Sequence, residues 1–193
     1  MNRPAGKAKL GRVTHMASDT RDRILDALEE MLLDQGVTKV TLESVAAKAD
    51  VSKGGLLYHF KTKDTMIAAM VRRLGEQADL QRAEAERGGT TVARWYLQPP
   101  EGIAEHEVAL YRSTLAALRS VDGNPGEIHQ AVIDMMRLWD ESLRTEIPDE
   151  VHAEIVRLVG DGIYLGALLE LPPVDADLHR KVVERLLGSD QVK

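Results

Sequence analysis

Cysteine is absent from this 193-residue chain, which excludes disulfides and thiolate chemistry. Aromatic residues are scarce, with one Phe, two Trp and four Tyr, so the positions of those few are informative. No run of eighteen or more apolar residues occurs, and no transmembrane helix is expected. The N-terminal stretch lacks a secretory hydrophobic region, which points to a cytoplasmic protein. Glu-x-x-His and His-x-x-x-His spacings are missing, which argues against di-iron and zincin-type sites on helices. A phosphate-cradling glycine loop with Lys-Ser/Thr is missing too, as is a nucleophile elbow. No metal, no cofactor and no enzyme activity are therefore expected.

Basic charge is in deficit overall, with 25 Lys and Arg against 31 Asp and Glu. The deficit is uneven. Residues 1–63 carry eleven basic against eight acidic side chains, a net of +3, and residues 64–193 carry fourteen against twenty-three, a net of −9. A mildly basic head on an acidic body suits a nucleic-acid reader whose body stays off the duplex.

The most informative stretch runs from Thr41 to Asp64. Thr41 is a good N-cap, and Leu42, Val45, Ala46 and Ala49 recur at helical spacing on one face. Ala49, Asp50 and Val51 form a tight turn with Val51 as an apolar plug. Ser52 caps a second helix whose inner face is Leu56 and Phe60. Its first outward residues are Lys53, Gly54 and Gly55. Glycines cost a helix about 1 kcal/mol each relative to Ala but let a neighbouring surface approach the backbone closely. The bland alternative is a weakly formed helix start in an ordinary core. Two short helices around such a turn are the layout of a helix-turn-helix, in which the second helix enters the major groove by its N-terminal end.

Residues 20–70 resemble the DNA-binding domain of the TetR (tetracycline repressor) family. The resemblance rests on Ile24, Leu25, Ala27 and Leu28, on Gly36 and Thr41, and on the pairs Val45-Ala46 and Val51-Ser52. It continues through Lys53-Gly54, His59-Phe60 and Lys63-Asp64. It implies a DNA-binding set of Thr41, Ser52, Lys53, Gly54, Gly55, Tyr58, His59 and Lys63. In that set Lys53, Gly54 and Gly55 face the bases, while Thr41, Tyr58, His59 and Lys63 contact the backbone. Leu57 departs from the pattern, since many members carry a phosphate-binding Tyr there, and Tyr58 is the residue able to replace it. Asp50 stands where the turn often has Gly, and Asp tolerates the left-handed conformation. Lys53 is then the one strong base reader, with guanine its preferred target. Read as residues alone, Tyr58 could cap an apolar patch and His59 could sit at the edge of a core. Phe60, the chain's single Phe, is read as a wedge between the head and the fourth helix.

The chain reads as all-α, with about nine helices and no strand pattern. Residues 1–17 hold Arg3, Lys7, Lys9 and Arg12 without an acid and read as a flexible basic arm, either DNA-contacting or merely solubilising. Residues 18–64 read as the helix-turn-helix domain, its first helix ending at Gly36. Residues 65–193 read as a helical effector-binding and dimerisation domain. A fourth helix over about 63–86 joins head to body, with Met66, Ile67, Met70, Val71 and Leu74 inward, and Gly88-Gly89 ends it. Further helices are expected near 92–96, 104–121, 126–145, 148–171 and 175–187, with Pro148 in the first turn of the eighth.

Trp95, Tyr96, Tyr111, Trp139 and Tyr164 all fall in the body, and Leu115 and Met135 share their helices. These seven are the candidates for an effector pocket of at least partly apolar character, against the alternative of plain core. Arg112 and His129 are the candidate polar contacts. Two apolar helices near the C-terminus would leave an exposed patch in a monomer. The expected dimer interface there comprises Ile155, Val159, Gly162, Ile163, Gly166, Leu178, Val182 and Leu186. The function implied is a ligand-responsive regulator, most simply a repressor that binds palindromic operator DNA as a homodimer and is released by a small-molecule effector. A protein-interaction module without DNA binding and a helical enzyme are the competing classes.

Overall fold

Gly36 ends the first helix because its φ of 75° is open to a residue without a Cβ. That helix, α1 (His15–Gln35), buries Ile24, Leu25, Leu28, Met31 and Leu32. The computed structural model describes residues 15–99, 105–119 and 126–188. Of the expected arm, residues 1–14 lie outside the described residues, and residues 15–17 are helical. Ser18, the expected start of the head, is thus inside α1, because Met16 and Ala17 are good helix formers that extend the helix backward. Residues 100–104 and 120–125, between described helices, also lie outside the described residues.

After a single 3-10 turn (Val37–Lys39) come α2 (Leu42–Lys48), α3 (Lys53–His59) and the 25-residue α4 (Lys63–Arg87). The body adds α5 (Val92–Tyr96), α6 (Glu105–Arg119), α7 (Gly126–Glu146), α8 (Glu150–Leu168) and α9 (Ala176–Leu187). Every regular element among the described residues is helical. The eighth helix begins at Glu150, leaving Pro148 outside its expected first turn, because the Asp149 carboxylate accepts from the Val151 and His152 amides and caps the helix there. It ends at Leu168, short of Pro172, because the Arg112 guanidinium takes the Ala167 and Leu168 carbonyls and pairs with Glu170, which turns the chain at φ 54°.

Apolar spacing decides the packing. The first half of α4 buries Met66 through Val71, Leu74 and Gly75, while its second half is polar. Those residues join Ile24, Leu28, Val45, Leu56 and Phe60 of the head to Leu110, Tyr111, Ala131, Met135 and Trp139 of the body in one continuous core. The core therefore crosses the boundary expected at residue 64. Helix α7 packs along α4, and α6 packs against α1 and the 3-10 turn. A second core around Val92, Leu97, Leu143, Ile147 and Val156 holds α5 and α9 to the end of the body, with Val183 and Leu187 as the α9 contribution.

Candidate nucleic-acid interface and body cavity

The head is fixed by caps. The Thr41 hydroxyl accepts from the Ser44 amide at 3.1 Å, and the Ser44 hydroxyl accepts from the Thr41 amide at 2.9 Å, a reciprocal box that starts α2. Asp50 occupies the left-handed region at φ 53° in the turn, as expected of it. Arg23 from α1 donates to the Ala49 and Asp50 carbonyls at 2.6 and 3.1 Å and pins that turn. The Ser52 hydroxyl accepts from the Gly55 amide at 3.0 Å and starts α3. Leu56 and Phe60 point inward, and the Arg21 guanidinium lies 5.6 Å from the Phe60 ring centroid.

The opposite face of α3 is open. Lys53, Gly54 and Tyr58 are exposed, Tyr58 at 84%, and His59 is half-buried with its ring edge-on to Tyr58. A Cβ added at Gly54 would meet nothing closer than the Ser52 hydroxyl at 4.0 Å, and no left-handed φ demands glycine there. Nothing inside the protein requires that residue to be Gly. Two lysines have partners that the sequence did not reveal. Lys53 pairs with Glu43 of α2 at 2.7 Å. Lys63 turns its ammonium onto the Val37 carbonyl, and burial lowers its pKa below the ordinary lysine value. Arg73 on α4 grips Asp26 and Glu29 of α1 at 2.7 and 2.5 Å, so the head is clamped to α4.

The body holds a partly open cavity of about 320 Å³ between α5, α6, α7 and α8. All seven candidates from the sequence line it: Trp95, Tyr96, Tyr111, Leu115, Met135, Trp139 and Tyr164. Aromatic edges meet faces around the wall, with centroids 5.6 Å apart for Tyr111 and Tyr164, and 6.1 Å for Tyr96 and Trp139. Burial pushes the Tyr164 phenol up to about 12 and raises those of Tyr96 and Tyr111 further. The polar lining is Gln98, Thr114 and Asp161, none of them anticipated. Thr114 is satisfied by the Leu110 carbonyl at 3.0 Å. Asp161 accepts from the Tyr96 hydroxyl at 2.5 Å and from Arg157 at 2.7 Å. Gly160 makes room for Tyr96, since a Cβ there would fall 2.3 Å from its ring. Arg112 and His129 do not line the cavity: Arg112 clasps the end of α8, and His129 is exposed.

The residues expected at a dimer interface divide in two. Ile155, Gly162, Leu178 and Val182 are exposed, and Leu158, Leu165 and Leu169 extend the same apolar face. Gly166 is half-buried, with open space where a side chain would stand. Val159, Ile163 and Leu186 lean instead on the second core, which takes part of each off the outer face.

The family model for the tetracycline repressor-like C-terminal domain matches residues 90–189, and that for bacterial regulatory proteins of the tetR family matches residues 24–70. The chain belongs to the TetR family. SrpR of Pseudomonas putida, an HTH-type transcriptional regulator, is 40% identical over 55 residues, covering 28% of this chain and 26% of its own length. The chain spans between about a quarter and two fifths of the length of the first curated relatives it matches. BetI of Escherichia coli (strain SE11), also an HTH-type transcriptional regulator, is 26% identical over 184 residues, 89% of this chain and 94% of its own. Among solved structures, the multidrug binding protein EbrR complexed with ethidium superimposes with a TM-score of 0.68 at 27% identity, covering 86% of this chain and 98% of that one. The TetR-family architecture therefore extends over the body. No helix among the described residues is long and apolar enough to cross a membrane.

Proposed function

We propose that this TetR-family chain is a cytoplasmic, ligand-responsive transcriptional repressor. It binds palindromic operator DNA as a homodimer and is released by a small-molecule effector. The carrying observation is that α6 and α7 serve two purposes at once. Tyr111, Thr114 and Leu115 of α6 and Val132, Met135, Met136 and Trp139 of α7 line the cavity. Other faces of the same helices pack on α1 and α4, which hold the head. A ligand that prefers one spacing of α6 and α7 biases the head through its differential affinity for the two states.

The functional division follows as arm 1–17, reading head 18–64 and effector and dimer body 65–193. Thr41, Tyr58, His59 and Lys63 serve the phosphates, Ser52 starts the reading helix, and Lys53 with Gly54 and Gly55 serves the bases. The cavity wall, aromatic and almost without free polar groups, suits a planar and predominantly apolar effector. EbrR, which holds ethidium, supports that class. The exposed apolar face of α8 and α9 is read as the two-fold interface, which sets two heads on successive major grooves roughly 34–36 Å apart.

Fluorescence anisotropy with duplexes selected from a random pool tests the reading. Affinity is expected to fall steeply with salt. Failure to enrich any duplex, or binding indifferent to salt, would overturn it.

A further inference from the structure

The outward end of α3 carries a single side chain with base-reading chemistry, Lys53, followed by two glycines. Its ammonium sits on a flexible four-carbon stem and has no fixed direction of its own. In this structure the direction is supplied by Glu43, in the first turn of α2, whose Oε1 lies 2.7 Å from Lys53 Nζ. The two side chains are 60% and 62% exposed, so the pair does little for folding. Lys53 donates a hydrogen bond to the Glu43 carboxyl and holds it below the usual carboxylate range, so it stays charged wherever DNA is bound.

A carboxylate at the start of α2 stabilises that helix through its dipole, which explains an acid at this place. It does not explain why the one base-facing cation reaches across to it. The pair joins the N-terminal ends of the two helices that face the duplex in a helix-turn-helix. A carboxylate so placed repels any phosphate brought against it and accepts a hydrogen bond from cytosine N4.

We infer that Glu43 is a specificity-determining residue of the reading head: it aims Lys53 at one guanine and penalises every register that sets a phosphate against the start of α2. This rests on the DNA-reading function proposed above. With Glu43 present, Lys53 acts as half of a neutral pair and adds little to sequence-independent attraction. Without it, Lys53 becomes a free cation that strengthens binding to any duplex.

The test uses the full-length protein and duplexes that the wild type enriches from a random pool. Anisotropy titrations at several salt concentrations compare those duplexes with scrambled ones. Glu43→Gln keeps the shape and removes the charge. It is expected to tighten scrambled-duplex binding about three- to ten-fold, steepen its salt slope by about one unit, and lower discrimination by about ten-fold. Glu43→Asp keeps the charge but shortens the reach, and is expected to lose discrimination without gaining scrambled-duplex affinity. In a Lys53→Met background the effect of Glu43→Gln on discrimination is expected to shrink to the part that phosphate repulsion supplies. Unchanged discrimination in Glu43→Gln or Glu43→Asp, or an undiminished effect without Lys53, overturns this inference alone. A wild type that enriches no sequence overturns the DNA-reading function itself, and this inference with it.

Discussion

Gly75 on α4 lies so close to Met135 on α7 that a Cβ at position 75 would stand 3.0 Å from Met135 Cγ. The same Met135 lines the cavity, and its sulfur accepts from the buried Tyr111 hydroxyl of α6 at 3.7 Å. One flexible side chain thus touches the connecting helix, the cavity and α6. Gly75→Ala is expected to push the thioether into the cavity, because the α4 backbone is held by the buried run Met66 to Val71 and cannot retreat. Met adapts by rotating, so the loss of stability stays near 1 kcal/mol. A small apolar probe found by its melting-temperature shift on the wild type, titrated without DNA by calorimetry, is expected to bind several-fold more weakly. Unchanged probe affinity would show that the cavity does not sense the α4–α7 contact.

Gly54 makes the opposite case. It is exposed, meets no neighbour, and has no left-handed φ. Gly54→Ala is therefore expected to stabilise the fold by about 0.5–1 kcal/mol in urea denaturation. If α3 approaches DNA closely, the same methyl group stands between backbone and base edges. Operator affinity is then expected to fall by at least about ten-fold, each 1.4 kcal/mol of lost contact being a factor of ten. A variant both more stable and equally tight would remove the reason for glycine in the recognition helix.

The head was legible in the sequence because its determinants are local. Caps at Thr41 and Ser52, the left-handed Asp50 and the inward Leu56 and Phe60 all follow from neighbours in the chain. The aromatic wall was legible for a different reason: with so few aromatics, those on the body helices had one apolar interior to share. What escaped is long-range or ambiguous by type. The Lys63 bond to the Val37 carbonyl and the Glu43–Lys53 pair depend on how separate elements dock. Asp161, four residues after Arg157, reads as half of an exposed i,i+4 pair and gives no sign that its other oxygen serves Tyr96. Val159, Ile163 and Leu186 were apolar enough for an interface, but periodicity could not tell the α8 and α9 faces that meet the second core from those that meet solvent.

The cavity tyrosines make stability pH-dependent in the alkaline range. Burial raises the folded-state pKa values of Tyr96, Tyr111 and Tyr164 above the ordinary phenol value of 10, Tyr164 to about 12. Between the unfolded and folded values the folded state binds more protons, so stability falls as pH rises. The Tyr164 contribution is fully present below pH 10 and is lost as pH climbs through about 12. Urea denaturation from pH 8 upward is expected to show that decline. Tyr164→Phe should flatten it, since Phe has no phenol to ionise. An equal slope in the variant would mean that Tyr164 is not held neutral by burial.

Both tryptophans stand in the cavity wall, with ring centroids 6.2 Å apart in an edge-to-face pair. Occupancy of the cavity is therefore expected to change most of the protein's tryptophan emission rather than half of it. Trp95→Phe leaves Trp139, which is buried at 6% exposure and touches Tyr96 and Tyr164 as well. The variant should retain a ligand-dependent signal with a fold loss smaller than the about 3–5 kcal/mol of a Trp→Ala cavity. A ligand that shifts melting temperature without altering emission binds somewhere else.

The proposed dimer rests on a face that the monomer leaves open. Leu158 and Leu165 on α8 and Leu169 at its C-cap are each more than half exposed, and Leu178 on α9 is 53% exposed. Gly162 lies among them with nothing within 4 Å of where its Cβ would be. A solitary chain gains nothing from glycine in mid-helix and loses about 1 kcal/mol of helix stability by having it. A second copy packed helix against helix does need it, since small residues let backbones approach. Gly162→Leu is therefore expected to raise the melting temperature of the isolated chain but weaken self-association. Leu158→Asp with Leu169→Asp should abolish association outright by placing charge in an apolar contact. Sedimentation equilibrium should give twice the 21.3 kDa chain mass for the wild type and the single mass for the double variant. Neither residue lines the cavity, so probe binding should survive while operator affinity collapses, because one head cannot span two half-sites. A wild type that sediments as a monomer would leave the apolar face without a partner and overturn the two-headed mode of reading.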